Sequence, residues 1–122
     1  MFSEFDIEMM TIAMDEAKLA ELKGEVPVGA VISNNNKIVS QAHNLSIKLN
    51  DPSGHAEILA LRKASDRQLN YRIPKSTLYV TLEPCIMCYG AMINARNERL
   101  VIGALDEKNG ITLSKNKFHT KI

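Results

Sequence analysis

Both cysteines of this 122-residue chain fall at one predicted junction between a strand and a helix. Residues 77–82, Thr-Leu-Tyr-Val-Thr-Leu, form a strongly β-prone run. Pro84 then suits the first turn of a helix that continues to about Ala95. Cys85 and Cys88 are three residues apart at the start of that helix, so their sulfur atoms can face one point. The junction therefore predicts two thiol groups held close together.

These thiols, together with one histidine, have the pattern of a metal site. A helix amino terminus has unpaired N–H groups and a partial positive charge, and both favour the thiolate form that zinc requires. His55 lies at the start of another predicted helix and can complete a set of three ligands. Three protein ligands leave the fourth position of zinc open for water. The sequence therefore predicts a catalytic Zn²⁺ site made of His55, Cys85 and Cys88.

Two other interpretations of the cysteine pair stay open. A C-x-x-C that opens a helix after a strand is also found in redox-active sites. A purely structural zinc would normally use four protein ligands. The chain has no third cysteine, and the spare histidines, His43 and His119, lie in no metal-spacing pattern. The sequence favours the catalytic zinc site over both alternatives.

Glu57 follows His55 by two residues in the segment His-Ala-Glu. In the first turn of a helix, its carboxylate can stand beside the metal without binding it. It can then take a proton from the activated water and deliver it to the substrate. Taken alone, Glu57 would be a surface carboxylate of a helix. Placed upstream of the two cysteines in this pattern, it is interpreted as the catalytic proton shuttle.

The remaining pattern predicts alternating helices and strands, which indicates α/β layers. We expect one domain over residues 1–122. Ser3 or Asp6 can cap the first helix, and Asp51 or Ser53 the second. The predicted elements are a helix over 5–23, a hairpin with strands over 28–32 and 37–41, a loop over 44–54, a helix from 55 to about 65, the strand over 77–82, the helix from 84 to about 95, and a strand over 100–104.

Composition limits the classes of function. Hydrophobic residues make up 45% and charged residues 24%, an ordinary globular balance. No stretch approaches the roughly 20 apolar residues that cross a bilayer, so no membrane partner is expected. The segment 1–6 lacks the basic start of a signal peptide, which predicts a cytoplasmic location. The net charge of +1 does not by itself indicate a nucleic-acid partner. The basic residues near the carboxyl end are interpreted as a solvated tail: Lys108, Lys115, Lys117, His119 and Lys121.

Three segments together resemble the cytidine and deoxycytidylate deaminase superfamily, and within it the bacterial tRNA adenosine deaminases. They are residues 25–31 (Glu-Val-Pro-Val-Gly-Ala-Val), residues 55–58 (His-Ala-Glu-Ile) and residues 77–92. H-x-E followed by P-C-x-x-C is the signature of zinc deaminases that act on nucleobases. The resemblance extends from the first helix to about Asp106. It implies a three-layer α/β/α fold with a central mixed β-sheet flanked by helices, as in cytidine deaminase.

The resemblance also implies a function, a partner and further site residues. The reaction would be hydrolytic deamination of adenosine to inosine at the wobble position of tRNA by zinc-activated water. The substrate would be the anticodon stem-loop, and the protein would be a homodimer. Asn44 would hydrogen-bond the purine, whereas taken alone it would be a loop-forming asparagine. Val28 and the backbone at Ala56 would line the base pocket.

The chain departs from this pattern near its carboxyl end. Leu105 stands where family members usually have an arginine, residues 109–114 replace a small-residue loop, and the sequence ends at Ile122. We therefore expect a carboxyl end shorter than usual for the family, which affects the grip on RNA more than the zinc chemistry. The candidate RNA contacts are Lys48, Arg72, Lys108 and the tail lysines.

Two rival functions stay open. A deaminase of a free base or nucleoside, of the guanine or cytosine type, would share every catalytic residue. The matches over 25–31 and 79–92 favour the tRNA enzyme. A non-catalytic zinc or RNA-binding module is the other rival, and Glu57 counts against it because such a module has no use for a proton shuttle.

Overall fold

A mixed four-stranded sheet lies between helices in the computed structural model, which describes residues 2–114. The elements within this range are α1 (Glu4–Leu22), β1 (Gly29–Asn34), β2 (Lys37–His43), α2 (Ser46–Leu49), α3 (Ala56–Gln68), β3 (Thr77–Leu82), α4 (Ile86–Ala95) and β4 (Arg99–Ala104). None of the helices described in residues 2–114 has the length and the hydropathy that a bilayer crossing demands.

The strands are arranged in the order β2-β1-β3-β4. β1 pairs antiparallel with both β2 and β3, whereas β3 and β4 are parallel. The predicted hairpin forms, and Asn35 and Asn36 make its turn with φ angles of 53° and 58°. Two consecutive residues with positive φ match the turn that the twist of a two-residue hairpin favours. The helix α4 connects the parallel strands, as such a crossover requires.

Alternate residues of the strands build the two sides of the core. Val31, Tyr79 and Val101 pack against Met9 and Ala13 of α1. The opposite face packs against α3 and α4 through Ala30, Ile32, Leu78 and Val80. Because successive side chains of a strand point to opposite faces, one sheet can carry both layers. The predicted three-layer α/β/α fold with a mixed sheet is confirmed.

Two local expectations were wrong. The predicted loop over 44–54 contains the short helix α2, because the distant Glu25 carboxylate accepts hydrogen bonds from the N–H groups of Ile47 and Lys48 at 3.0 and 2.9 Å. Such long-range hydrogen bonds leave no local sequence signal. The cap of α3 is His55, which makes no capping side-chain hydrogen bond. Neither expected cap acts as one, because the N–H and hydroxyl groups of Ser53 donate to the Asp51 carboxylate within the preceding turn.

Gly29 allows α1 to approach the first strand closely. A Cβ atom at this position would lie 1.9 Å from the Ala13 carbonyl oxygen and 2.7 Å from the Ala17 nitrogen, both in the α1 backbone. No other residue type would fit there without moving the helix. This contact fixes α1 against the strand that directly follows Val28.

The Asp6 carboxylate joins the start of α1 to the sheet. It accepts two hydrogen bonds from the Arg99 guanidinium, at 2.7 and 2.8 Å, and one from the Tyr79 hydroxyl at 2.7 Å. It also forms a capping box with Ser3, so Ser3 is the cap and Asp6, the other predicted cap, supports it from the third helical position. The hydrogen bonds from Arg99 hold the pKa of the Asp6 carboxyl well below its usual range, although burial opposes the charge.

We expect Asp6→Asn to lower the free energy of unfolding by about 2 kcal/mol at pH 7, because the variant loses charge-assisted hydrogen bonds. The pKa of Asp6 is lower in the folded state than in the unfolded state. Its stabilising contribution is therefore full above pH about 4 and is lost as the pH falls further. Urea unfolding at pH 7 and pH 3 measures both effects, with the exposed Asp15→Asn on the same helix as control. An equal loss at both pH values would contradict this assignment.

Candidate active site

Three potential metal ligands converge where the amino termini of α3 and α4 meet. His55 is the N-cap of α3, Cys85 is the N-cap of α4, and Cys88 lies in the first turn of α4. The His55 Nδ1 atom is 3.7 Å from the Cys85 Sγ atom and 3.4 Å from the Cys88 Sγ atom. All three ligand atoms lie within 4.8 Å of one another. Within residues 2–114 these are the residues grouped closely enough to hold a metal ion.

The separations fit a tetrahedral zinc ion. Bond lengths near 2.05 Å to nitrogen and 2.3 Å to sulfur place a tetrahedral nitrogen–sulfur pair about 3.6 Å apart. The two measured nitrogen–sulfur distances, 3.7 and 3.4 Å, lie on either side of that value. The donor set also has the composition that zinc prefers, one imidazole nitrogen with two thiolates. The residues present therefore fit the ion.

The start of α4 supplies the thiolate that such a site needs. A hydrogen bond from the Cys88 thiol lowers the pKa of Cys85 to about 5, with help from the backbone N–H groups of Cys88 and Met87. The same hydrogen bond, together with burial, raises the pKa of Cys88. The two shifts make Cys85 the more acidic thiol of the pair. A zinc ion would take both sulfur atoms as thiolates, so metal binding would require Cys88 to lose its proton as well.

Glu57 is the second residue of α3 and is only 4% exposed, so it is not a surface carboxylate. Burial raises the pKa of the Glu57 carboxyl to about 7. A group with this pKa can both hold and release a proton near neutral pH. The side chain faces the same cavity as His55 and Cys85. The structure thus brings the predicted proton shuttle and the predicted metal ligands together.

A cavity of about 600 Å³ opens in front of these residues. Val28 and Asn44, which the family resemblance placed at the base, both line it. Asn44 is held in position by its backbone N–H, which donates to the Val28 carbonyl oxygen at 3.1 Å. Ala56 lies between His55 and Glu57 in the chain, but its side chain is fully buried in the core and is not part of the lining.

The candidate RNA contacts are placed differently from one another. Lys108 lines the cavity, so it is not part of a merely solvated tail. Lys48 is exposed and follows Ile47, a lining residue. Arg72 stacks over the Tyr71 ring at 5.3 Å from its centroid and does not line this cavity. The other tail residues, Lys115, Lys117, His119 and Lys121, lie outside the described residues.

Sequence reasoning missed two buried glutamates beside the site. Glu25 lines the cavity, and its hydrogen bonds to α2 hold the segment after Asn44 in place. Burial opposes its charge, but the N–H groups of Ile47 and Lys48 lower the pKa of Glu25. Glu25 is the first residue of the segment 25–31 that resembles the family, and this resemblance was the one sequence signal that could have marked it as a site residue.

Glu83 is the second missed residue, and it holds the far wall of the cavity. Its carboxylate accepts from the backbone N–H groups of Asp106 (3.0 Å), Thr112 (2.9 Å) and Ser114 (3.1 Å). It also accepts from the hydroxyl groups of Thr112 and Ser114, each at 3.0 Å. Burial opposes the charge, yet these hydrogen bonds lower the pKa of Glu83 to about 2.

Comparisons with known proteins agree with this geometry. Residues 3–104 match the cytidine and deoxycytidylate deaminase zinc-binding region. The tRNA-specific adenosine deaminase of Haemophilus influenzae is 50% identical over 117 residues, which are 95% of this chain and 68% of that protein. This chain spans 61 to 78% of the length of that protein and two Buchnera aphidicola proteins of the same name.

Solved structures show the same arrangement of elements. One comes from studies of A-to-I editing by tRNA:A34 deaminases at the wobble position of transfer RNA. It has a TM-score of 0.87 and 37% identity, and the alignment covers 95% of this chain and 86% of that one. The guanine deaminase of Bacillus subtilis has a TM-score of 0.81 and 28% identity, with coverage of 98% and 73%.

The sequence match over residues 3–104 contains all three predicted metal ligands and Glu57. His55 and Glu57 lie at the start of α3, and Cys85 and Cys88 at the start of α4. His55, Glu57 and Cys85 line one cavity, and the ligand atom of Cys88 lies within 4.8 Å of those of His55 and Cys85. A match over most of the chain, together with a ligand set that fits zinc, places this protein in the cytidine and deoxycytidylate deaminase zinc-binding family.

Proposed function

We propose that this chain deaminates adenosine to inosine at the wobble position of tRNA by hydrolysis. The observation that carries this proposal is a buried carboxyl, Glu57, beside the ligand set His55, Cys85 and Cys88 at a cavity of about 600 Å³. Support for the substrate comes from the Haemophilus influenzae relative, a tRNA-specific adenosine deaminase at 50% identity. The reaction consumes one water and releases ammonia.

His55, Cys85 and Cys88 hold the zinc ion. The chemistry that a bound zinc ion supplies is activation of a water molecule near neutral pH. Cys85 and Cys88 approach from the start of one helix, and His55 approaches from the start of another, so the site depends on how these helices pack. With three protein ligands, one position stays accessible from the cavity.

Glu57 carries the proton. Its carboxylate accepts a proton from the attacking water, and the carboxylic acid then donates a proton to the amino group that leaves as ammonia. A pKa of about 7 suits both halves of this transfer, because neither form is strongly favoured at neutral pH. Asn44 hydrogen-bonds the base and Val28 provides an apolar wall, whereas Ala56, which the resemblance placed in the pocket, does not line the cavity.

The RNA-loop substrate also agrees with the chemistry of the cavity rim. Bases in single-stranded loops are already unstacked, so a loop adenosine enters a deep site at a lower energetic cost than a paired base. Lys108 lines the cavity, and the exposed Lys48 follows the lining residue Ile47, so both can offer positive charge to the phosphates that flank the base. The anticodon stem-loop is therefore the proposed partner.

A homodimer is part of the proposal. The helix α4 exposes three apolar side chains: Ile86 at 67%, Met87 at 37% and Ile93 at 46%. Gly90 lies on the same helix, and a Cβ atom there would meet nothing within 4 Å. Met92 of the same helix is fully buried in the core and cannot contribute to such an interface. A second copy that covers this face would bury apolar surface.

The cytoplasmic location stays a prediction.

One second function has a specific observation behind it. The guanine deaminase of Bacillus subtilis shares this fold with a TM-score of 0.81, so a free purine base could occupy the same cavity. The higher identity to the tRNA-specific relative favours the RNA substrate. A non-catalytic zinc or RNA-binding module is disfavoured, because a buried carboxyl with a raised pKa has no use there.

The purified protein should contain about one zinc per chain. Cys85→Ser and Cys88→Ser should each lose most of the metal, because a serine hydroxyl binds zinc far less tightly than the thiolate that it replaces. Met87→Leu, which changes the residue between the cysteines without touching a ligand, should keep it. Elemental analysis and thiol titration measure the result, and zinc-free wild-type protein with two titratable thiols would refute the site.

Glu57→Gln should keep the zinc and lower turnover by at least ~10²-fold, because the amide cannot carry the proton. The matched control is Asp66→Asn, which makes the same change of carboxylate to amide at an exposed position of the same helix. Zinc content and steady-state rates are measured for both variants. Near-normal turnover in Glu57→Gln would mean that another group moves the proton.

The substrate is tested with an anticodon stem-loop RNA, free adenosine, free guanine and cytidine, followed by nucleoside analysis. We expect inosine in the RNA loop, little product from the free compounds, and a rate that falls as salt rises. Lys108→Ala should weaken RNA binding and reduce the slope of the logarithm of affinity against the logarithm of salt concentration by about one, the loss of one phosphate contact. Lys18→Ala on α1 should change neither. Strong deamination of a free base with RNA untouched would overturn the substrate and leave the zinc chemistry.

A further inference from the structure

The segment from Asp106 to Ser114 forms one wall of the active-site cavity without being a helix or a strand. Five of its residues line the cavity: Asp106, Lys108, Asn109, Gly110 and Ile111. Its residues 107–109 form a turn, capped by the Asp106 side chain, which accepts from the N–H groups of Lys108 and Asn109 at 3.1 and 3.0 Å. We call residues 106–114 the wall loop.

The wall loop is anchored by a single buried side chain. Five hydrogen bonds from the loop end on the Glu83 carboxylate, and Glu83 itself is 3% exposed. Three of the donors are backbone N–H groups, so they fix the path of the loop rather than individual side chains. An anionic acceptor makes such hydrogen bonds about twice as strong as those to a neutral group. Without the carboxylate, several buried donors would lose their partner.

The fit around Glu83 is close. A Cβ atom on Gly110 would lie 2.3 Å from the Glu83 Cδ atom and 2.5 Å from the Asp106 carbonyl oxygen. The loop is also joined to the residue after Glu83, because the Ile111 N–H donates to the Pro84 carbonyl oxygen at 3.2 Å. The anchor is thus part of the turn that directly precedes the metal ligand Cys85.

From this arrangement we infer that Glu83 is a positioning residue that sets substrate affinity by holding the wall loop, and with it Lys108 and Asn109, at the cavity. This inference rests on the proposed function. Glu83 lines the same cavity as Glu57, but its carboxylate accepts five hydrogen bonds from the wall loop, so it acts through the loop. A substrate with phosphates beside the reacting base depends on the position of Lys108. The consequence is a role in binding rather than in the chemical step.

Glu83→Gln tests the inference, because the amide keeps the size of the side chain but removes the charge and turns one acceptor into a donor. We expect KM for the stem-loop RNA to rise by about tenfold or more, with zinc content unchanged and kcat altered much less. Glu98→Gln is the matched control, since Glu98 is exposed and remote from the cavity. Equal KM values in Glu83→Gln and wild type, or a loss confined to kcat, would overturn the inference.

Gly110→Ala disrupts the same contact between Glu83 and the wall loop from the loop side. Its methyl group would push the loop away from Glu83 while leaving residues 83–88 unchanged. We expect the same rise in KM, and less than additive effects in the double variant, because both changes break one contact. Thr112→Val, which removes one of the five donors, should give an intermediate rise. Fully additive effects, or a Gly110→Ala variant with wild-type KM, would contradict the anchoring.

Amide hydrogen exchange separates this inference from the proposed function. The N–H groups of Asp106, Thr112 and Ser114 should be protected in the wild-type protein and should exchange faster in both Glu83→Gln and Gly110→Ala. This readout needs no substrate. If the wild-type protein converts a free base instead of RNA, the proposed function fails, and KM for that base then reports the effect of the loop. Unchanged exchange in both variants would refute the anchoring whatever the substrate.

Discussion

The site depends on the meeting of two helix amino termini. α3 and α4 pack on the same face of the sheet, and their N-cap residues, His55 and Cys85, come close enough for one metal ion to bind both. A helix start also provides unpaired N–H groups that favour thiolate at Cys85. A small change in the angle between the helices would separate the ligands, so the packing of Ala60, Leu61 and Met92 in the shared core serves the chemistry as well as the stability.

Three glutamates around the cavity are nearly inaccessible to solvent, but their pKa values shift in different directions. Glu25, Glu57 and Glu83 are 5%, 4% and 3% exposed. Glu25 and Glu83 accept several backbone hydrogen bonds, and these lower their pKa despite burial. At Glu57 burial prevails over the hydrogen bonds, and its pKa rises to about 7. Glu57 lies deeper in the protein than the other two, so desolvation prevails there, whereas backbone N–H donors hold the pKa of Glu25 and of Glu83 low.

Most elements could be predicted because their signals are local. The hairpin follows from a β-prone run interrupted by Asn35 and Asn36, which accept positive φ, and the cap of α1 follows from Ser3 and Asp6, three residues apart. The short helix α2 could not be predicted, because its first turn is held by Glu25, more than twenty residues earlier. The order of the strands was also not contained in any local pattern, since it depends on which faces of the strands and helices pack together.

The chemical identity of the site was determined by the sequence alone. The ligand types, their spacing and the nearby carboxylate favour a zinc ion with three protein ligands and a carboxylate beside it, since these properties belong to the side chains themselves. The tertiary structure decided everything that depends on distance and burial. It placed His55 within 3.7 Å of both sulfur atoms, raised the pKa of Glu57 by removing it from water, and formed the wall loop on Glu83. Hydrogen bonds and desolvation act through space, so residues far apart in the chain determine them together.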